Sequence, residues 1–173
     1  MNKTMQKIIL YGSVVVFVVG IAALLFTSRD NIRPTAANTN TQSASALAAA
    51  ETNFDFGTIA MQNGNVSHQF ELKNEGTDPV TIQKVYTSCM CTNAYVKDAS
   101  GKRHGAFGMP GHAGSGKTNI VVAPGTTVTI EAVFDPAAHG PSGVGLAERA
   151  VYLETNSTVS PQVEFNFRAN VTR

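Results

Sequence analysis

The stretch Val163-Glu164-Phe165-Asn166-Phe167-Arg168-Ala169-Asn170-Val171 decides the fold class, because its apolar and polar side chains alternate without interruption. Residues 66–72 and 128–134 show the same period of two. Successive side chains of a β-strand point to opposite faces of a sheet. Each stretch therefore predicts a strand with one face on a core and the other in solvent.

Turn-forming residues separate these strands. The segment Asn74-Glu75-Gly76-Thr77-Asp78-Pro79 follows the strand at residues 66–72, and Pro124-Gly125 precedes the strand at residues 128–134. The Gly- and Pro-containing residues 135–145 are typical of a loop, and no segment after Glu51 has a helical period. Short strands divided by turns predict an all-β fold, an immunoglobulin-like β-sandwich of about seven strands, over residues 52–173.

A long apolar stretch precedes this domain. Residues 8–26 contain no charged side chain. As a helix with a rise of about 1.5 Å per residue they would be roughly 28 Å long, close to the thickness of a bilayer's hydrocarbon core. A cleaved signal peptide is the alternative, but its apolar core is typically shorter and a small-x-small cleavage site follows closely. We therefore expect residues 8–26 to be a retained transmembrane signal anchor behind a short tail, residues 1–7.

The charges that flank residues 8–26 predict on which side of the membrane the folded domain lies, and the residues that follow predict how it is joined to the span. Lys3, Lys7 and the N-terminal amine slightly outweigh Arg29 and Arg33, which have Asp30 between them. This balance predicts a cytoplasmic N-terminus and a folded domain outside the cytoplasm, in a periplasm or at the cell surface. Residues 27–51 are rich in Ala, Thr, Ser and Asn, a composition that buries too little surface to offset the entropy of ordering, and they predict a flexible linker.

Charge argues against nucleic acid as a partner. Only 14% of the residues are charged, the formal net charge is +1, and no basic patch is visible. Nucleic-acid-binding surfaces need such a patch to neutralise phosphates. The expected partners are the membrane, through one span, and a protein or other component of the cell envelope.

The domain resembles the bacterial domain-of-unknown-function family fifteen seventy-three, an immunoglobulin-like group related to PapD-like and Hydin-like domains. The matching motifs are Phe54-Asp55-Phe56-Gly57, Asn74-Glu75-Gly76, Pro79-Val80-Thr81-Ile82, Ser88-Cys89-Met90-Cys91-Thr92, Pro124-Gly125 and Thr155-Asn156. Two features depart from the family. Met90 stands where glycine is usual, and the stretch at residues 98–119 is longer, and richer in Gly and His, than the connection usual in the family at this place. Because the family has no established activity, the resemblance implies a fold and a location rather than a function.

Residues 111–118 match the phosphate-binding pattern G-x-x-x-x-G-K-[ST] through Gly111, Gly116, Lys117 and Thr118. That loop binds phosphate only when it follows a buried strand and opens a helix, whose N-terminal amides hold the anion. The residues before it contain Gly and Pro, and residues 119–125 resemble a strand that ends at Pro124-Gly125. We therefore interpret the match as fortuitous and predict no nucleotide partner.

Cys89 and Cys91 are two residues apart, so both side chains point to the same face if they lie in a strand. Three interpretations stay open: a structural pair or tight disulfide, a redox-active disulfide, and a soft-metal site for Cu(I) or Zn(II). For the metal site, His104, Met109 and His112 in the following loop are candidate additional ligands. His68 lies in a core-facing register, and His139 is expected to be an exposed loop residue.

The sequence shows no assembled catalytic constellation and no G-x-S-x-G nucleophile elbow. We expect a non-enzymatic, membrane-anchored extracytoplasmic module without a cofactor that binds a protein or envelope component. The alternative is a protein that binds copper or zinc through the Cys-x-Cys motif.

Overall fold

Two β-sheets make up the part of the chain that the computed structural model describes, residues 42–114 and 116–173. Their strands are β1 Leu47–Ala49, β2 Asn53–Ala60, β3 Val66–Asn74, β4 Val80–Thr87, β5 Thr92–Lys97, β6 Arg103–Phe107, β7 Lys117–Val122, β8 Thr127–Phe134, β9 Gly145–Thr155 and β10 Gln162–Thr172. Short 3-10 helices occupy Met61–Asn63 and Gly140–Gly143. None of the helices within these residues is long and apolar enough to cross a membrane.

The strands form two five-stranded sheets. The first has the order β1-β3-β8-β5-β6, and the second has the order β2-β10-β9-β4-β7. Neighbouring strands are antiparallel except for β2, which runs parallel to β10. This arrangement confirms the predicted all-β sandwich.

The core lies between the inner faces of the two sheets. On β10 the predicted alternation is observed, with Phe165, Phe167, Ala169 and Val171 buried. Phe70 of the first sheet stacks on Phe165 of the second, with ring centroids 4.8 Å apart. Each large apolar side chain that is fully buried contributes about 1.5–3 kcal/mol to stability. The fold therefore rests on the contact between the sheets.

The folded domain begins earlier than the predicted boundary at residue 52. Ser43 forms a bridge to Ser157, and β1 pairs with β3 through Leu47 opposite Asn74. The serine side chains make this possible, since Ser157 Oγ donates to the Ser45 carbonyl at 2.6 Å. Composition suggested a solvated linker here, but side-chain hydrogen bonds and the burial of Leu47 order the segment.

Ten strands form within the described residues, where about seven were expected. The strand β6 lies within the Gly-rich residues 98–119, where no strand was expected, whereas β7 corresponds to the strand-like residues 119–125 and begins two residues earlier. The strand β9 was also missed, because Ala147, Glu148, Arg149 and Ala150 have no strict alternation and include good helix formers. The pairing of β9 with both β10 and β4 overrides that preference.

The predicted tail at residues 1–7, the transmembrane helix at 8–26 and most of the predicted linker lie outside the described residues. They stay predictions.

Candidate functional site

The cysteine pair lies in the turn between β4 and β5. Thr87, the last residue of β4, fixes this turn because its hydroxyl donates to the carbonyls of Cys89 and Thr92, both at 3.0 Å. The Thr92 amide donates to the Cys89 carbonyl at 3.1 Å and closes the turn. The local sequence therefore presents both sulfurs at one end of the sandwich.

The two sulfurs differ in their access to solvent. Cys89 and Cys91 are joined by a disulfide, with their Cα atoms 5.2 Å apart. Cys91 is only 2% exposed and belongs to the core, whereas Cys89 is half-buried. The Cys91 amide also donates to the Cys89 sulfur at 3.3 Å. Cys89 is thus the sulfur that a reactant meets first.

His139 comes to the cysteine pair from the loop between β8 and β9. Its Nε2 lies 3.3 Å from the Cys89 sulfur, and the ligand atoms of Cys89, Cys91 and His139 all lie within 4.8 Å of one another. The Asp135 amide donates to the Cys91 carbonyl at 2.9 Å, which ties this loop to the cysteine turn. If the disulfide were reduced, two thiolates and an imidazole would form a donor set that suits zinc or copper.

Arg149 approaches the pair from β9. Its neighbours at alternate positions, Ala147 and Val151, are buried, so Arg149 lies in the inward register of the strand. Its Nε donates to the Cys91 sulfur at 3.0 Å, and its guanidinium carbon lies 6.0 Å from the centroid of the Phe134 ring. The guanidinium charge would stabilise negative charge on the buried sulfur. We call Cys89, Cys91, His139 and Arg149 the cysteine end of the sandwich.

The other predicted metal ligands lie elsewhere. His104 on β6 faces Asp98, with Nε2 2.8 Å from the carboxylate, and its hydrogen bond is the main reason that the pKa of Asp98 is far below its usual range, followed by that of Ser100. Met109 and His112 share a tight turn in which the His112 amide donates to the Met109 carbonyl at 3.1 Å. Within the described residues, the ligand group around the cysteines contains His139 rather than His104 or His112.

No local signal in the sequence could have singled out His139. It lies 50 positions after Cys89, and only the pairing of β5 with β8 brings its loop to the cysteines. His68 lies where its register predicted, stacked on Phe54 with ring centroids 3.5 Å apart and with Nε2 3.0 Å from Glu51.

The segment with the phosphate-binding pattern leads into a strand. Lys117 is the first residue of β7, and the Gly116 carbonyl accepts a hydrogen bond from the Val85 amide at 2.9 Å. The helix N-terminus that the phosphate-binding mechanism requires does not follow Lys117.

A surface pocket of about 590 Å³ adjoins the cysteine end and is lined by residues of β2, β10 and β9, Arg149 among them. Ser88 connects it to the cysteine turn, because its amide donates to the Ala150 carbonyl and its hydroxyl accepts from the Ala150 amide. The pocket is lined in part by Asn53, Asp55, Ser88, Glu148, Tyr152, Asn166 and Arg168. Polar and charged groups of both signs therefore converge on one concave surface.

Two tyrosines extend this surface. Tyr86 and Tyr152 stack with ring centroids 5.0 Å apart, and Lys84 Nζ lies 4.6 Å from the centroid of Tyr86. Burial, followed by the charge of Glu164 and the proximity of Tyr86, raises the pKa of Tyr152. Both rings remain partly exposed. We call the pocket together with Tyr86 and Tyr152 the pocket face.

Comparisons with known proteins support the fold. The family model described as "Protein of unknown function (DUF1573)" matches residues 47–105, in agreement with the resemblance noted above. No curated protein matches the sequence significantly.

Several solved structures of low sequence identity are similar to this chain. A protein of unknown function from Porphyromonas gingivalis W83 is 16% identical with a TM-score of 0.54, and the match covers 78% of this chain and 50% of that chain. The secreted serine protease VesC from Vibrio cholerae is 13% identical (TM-score 0.45; coverage 73% and 23%). The periplasmic chaperone SfaE is 8% identical (TM-score 0.38; coverage 74% and 59%). This chain thus spans less than two thirds of the length of each.

Proposed function

We propose that this chain is a membrane-anchored, extracytoplasmic and non-enzymatic module that binds a polar segment of a partner protein through the pocket face. The observation that carries the proposal is the pocket of about 590 Å³ beside the stacked pair Tyr86 and Tyr152. A concave surface with convergent polar groups and exposed aromatic rings is the kind of surface on which proteins recognise ligands.

The chemistry of the pocket face favours a polar segment. Arg168 Nη2 lies 2.9 Å from the Asp55 carboxylate, and both side chains remain substantially exposed. Asn53 and Asn166 add amide donors and acceptors, which suit backbone amides and carbonyls. The tyrosine rings add apolar area at a small entropic cost, as they do in many protein interfaces.

The predicted location agrees with the disulfide. Residues 8–26 have the length and composition of a transmembrane anchor, with the folded domain on the far side of the membrane. Disulfides persist in oxidising compartments outside the cytoplasm, and one joins Cys89 to Cys91.

Photocross-linking tests the pocket face. A photoreactive phenylalanine derivative replaces Tyr152 in the full chain in its native membrane, and the cross-linked protein is identified and purified. We expect Tyr152→Ala to weaken binding of that protein about tenfold or more, the usual loss for an aromatic hot spot. The matched control is Glu71→Ala, at an exposed position on β3 of the other sheet. Equal affinities for the two variants would contradict the proposal.

A soft-metal site is the second candidate, favoured by the approach of Cys89, Cys91 and His139 to within 4.8 Å. Reduction of the disulfide would supply two thiolates, and His139 would supply the third ligand. The reduced full chain is expected to bind one Zn(II) or Cu(I), and Cys89→Ser/Cys91→Ser is expected to abolish that binding. His139→Ala should weaken it, while the control His104→Ala should not. Metal binding that survives in the double cysteine variant would rule the site out.

A further inference from the structure

We propose that the Cys89–Cys91 disulfide exchanges with the dithiol of another protein, with Cys89 as the attacked sulfur and Cys91 as the leaving sulfur. This proposal goes beyond binding at the pocket face and does not depend on it. Three observations support it: the unequal exposure of the two sulfurs, the contact of Arg149 with only one of them, and the position of His139 beside the other.

The direction of attack follows from access. A thiolate must approach one sulfur of a disulfide to displace the other. Cys91 is 2% exposed within the core, whereas Cys89 is half-buried on the solvent side of the turn. His139, whose Nε2 lies 3.3 Å from the Cys89 sulfur, is itself exposed, so Cys89 lies at the solvent-facing edge of the turn. The mixed disulfide therefore forms on Cys89.

The leaving sulfur has a cationic partner. Arg149 Nε lies 3.0 Å from the Cys91 sulfur, and β9 fixes its backbone in the inward register. A sulfur leaves faster when its thiolate is stabilised, and a neighbouring guanidinium provides that stabilisation. The Thr92 hydroxyl, 3.8 Å from the same sulfur, adds a weaker polar contact. The surroundings of Cys91 thus stabilise the negative charge that its sulfur carries when it leaves as a thiolate.

The exchange balances in two steps. In the first step, a thiolate of the partner dithiol bonds to the Cys89 sulfur, the Cys89–Cys91 bond breaks, and Cys91 leaves as a thiolate beside Arg149. In the second step, the partner's other thiolate bonds to its own mixed-disulfide sulfur, and Cys89 leaves next to His139. The partner loses two electrons and two protons, and Cys89 and Cys91 gain them as thiols.

Trapping the mixed disulfide tests the proposal on the unmodified full chain in mild detergent. The probe is reduced thioredoxin without its resolving cysteine, which stops the reaction after the first step. After alkylation of free thiols and peptide mapping, we expect thioredoxin on Cys89 and the alkyl group on Cys91. Thioredoxin on Cys91, or an adduct that forms only after unfolding in urea, would overturn the proposal.

Rates of reduction by intact reduced thioredoxin test the role of Arg149. We expect Arg149→Gln to slow the reaction about three- to tenfold, because the leaving thiolate loses its cationic partner. Arg149→Lys, which keeps the charge, should recover part of the rate and also guards against misfolding of the first variant. Arg103→Gln removes the same charge from an exposed position on β6, outside the pocket face, and should leave the rate unchanged. Equal rates in all four proteins would contradict this role.

Discussion

At one end of the sandwich, buried polar groups are saturated with hydrogen bonds, whereas at the cysteine end polar groups meet around a partly exposed disulfide. The first end, which we call the serine end, consists of Ser43, Ser45, Asn74, Thr155 and Ser157, all of them buried. Among the described residues, no buried side-chain nitrogen or oxygen atom lacks a hydrogen-bond partner. The serine end therefore stabilises the fold.

The cysteine end has a different composition and exposure. His139 is exposed, Cys89 is half-buried, and Arg149 directs a charged group at a sulfur rather than at a carboxylate. Such an arrangement offers a disulfide, an imidazole and a cation to a reactant, and after reduction it would offer two thiolates and an imidazole to a metal. Polar residues of the sandwich thus point to a function only where their side chains remain accessible to a ligand or reactant.

The largest effect should follow removal of the N-terminal segment of the serine end. A fragment of residues 52–173 lacks β1, the buried side chain of Leu47 and the hydrogen bonds of Ser43 and Ser45. We expect its free energy of unfolding to be about 3–5 kcal/mol lower than that of a fragment of residues 42–173. Urea unfolding of both fragments measures the difference. Equal stabilities would show that residues 42–51 are a linker after all.

Asn74→Ala should have the next largest effect. The Asn74 amide donates to the carbonyls of Asp78 and Val122 at 2.8 and 2.9 Å, and its oxygen accepts from the Gly76 amide at 3.0 Å. Losing these partners in a fully buried position should cost about 2–4 kcal/mol. Asn53→Ala, at an exposed position, is the control and should change stability by less than about 0.5 kcal/mol. A similar small change for Asn74→Ala would contradict the role of the serine end.

His139→Ala should change the zinc affinity of the reduced chain while leaving the free energy of unfolding nearly unchanged. Because His139 is exposed, we expect its loss to change the free energy of unfolding by less than about 0.5 kcal/mol. The same variant should lower the zinc affinity of the reduced chain about tenfold or more, since one of three ligands is missing. Isothermal titration of zinc and urea unfolding give the two values. A large loss of stability with unchanged zinc affinity would reverse this assignment.

The smallest effect concerns Asp98. The hydrogen bonds of His104 and then of Ser100 lower its pKa in the folded protein, so folding favours the carboxylate. A lowered folded pKa contributes stability above the unfolded pKa of about 4, and that contribution is lost as pH falls toward the folded pKa. NMR titration should show the Asp98 pKa rising toward its usual value in His104→Gln. An unchanged pKa would show that His104 is not its main partner.

Local pattern predicted the sandwich well where strands have one buried face. The alternation of residues 163–171 and 128–134 corresponds closely to β10 and β8. It failed for β9, whose residues 147–150 do not alternate strictly, and for β1, which is ordered by hydrogen bonds to serine side chains more than 100 positions away. The cysteine turn could be found from sequence, but His139 and Arg149 reach it only through long-range pairing.

The most direct test of the cysteine end is the rate at which dithiothreitol reduces the Cys89–Cys91 disulfide of the full chain as urea is increased below the unfolding transition. An accessible Cys89 predicts reduction from the folded state, with a rate that hardly depends on urea in this range. If the disulfide is instead a structural element that opens only on unfolding, the rate will rise steeply with urea, in parallel with the unfolded fraction. That result would contradict thiol–disulfide exchange at Cys89 in the folded protein.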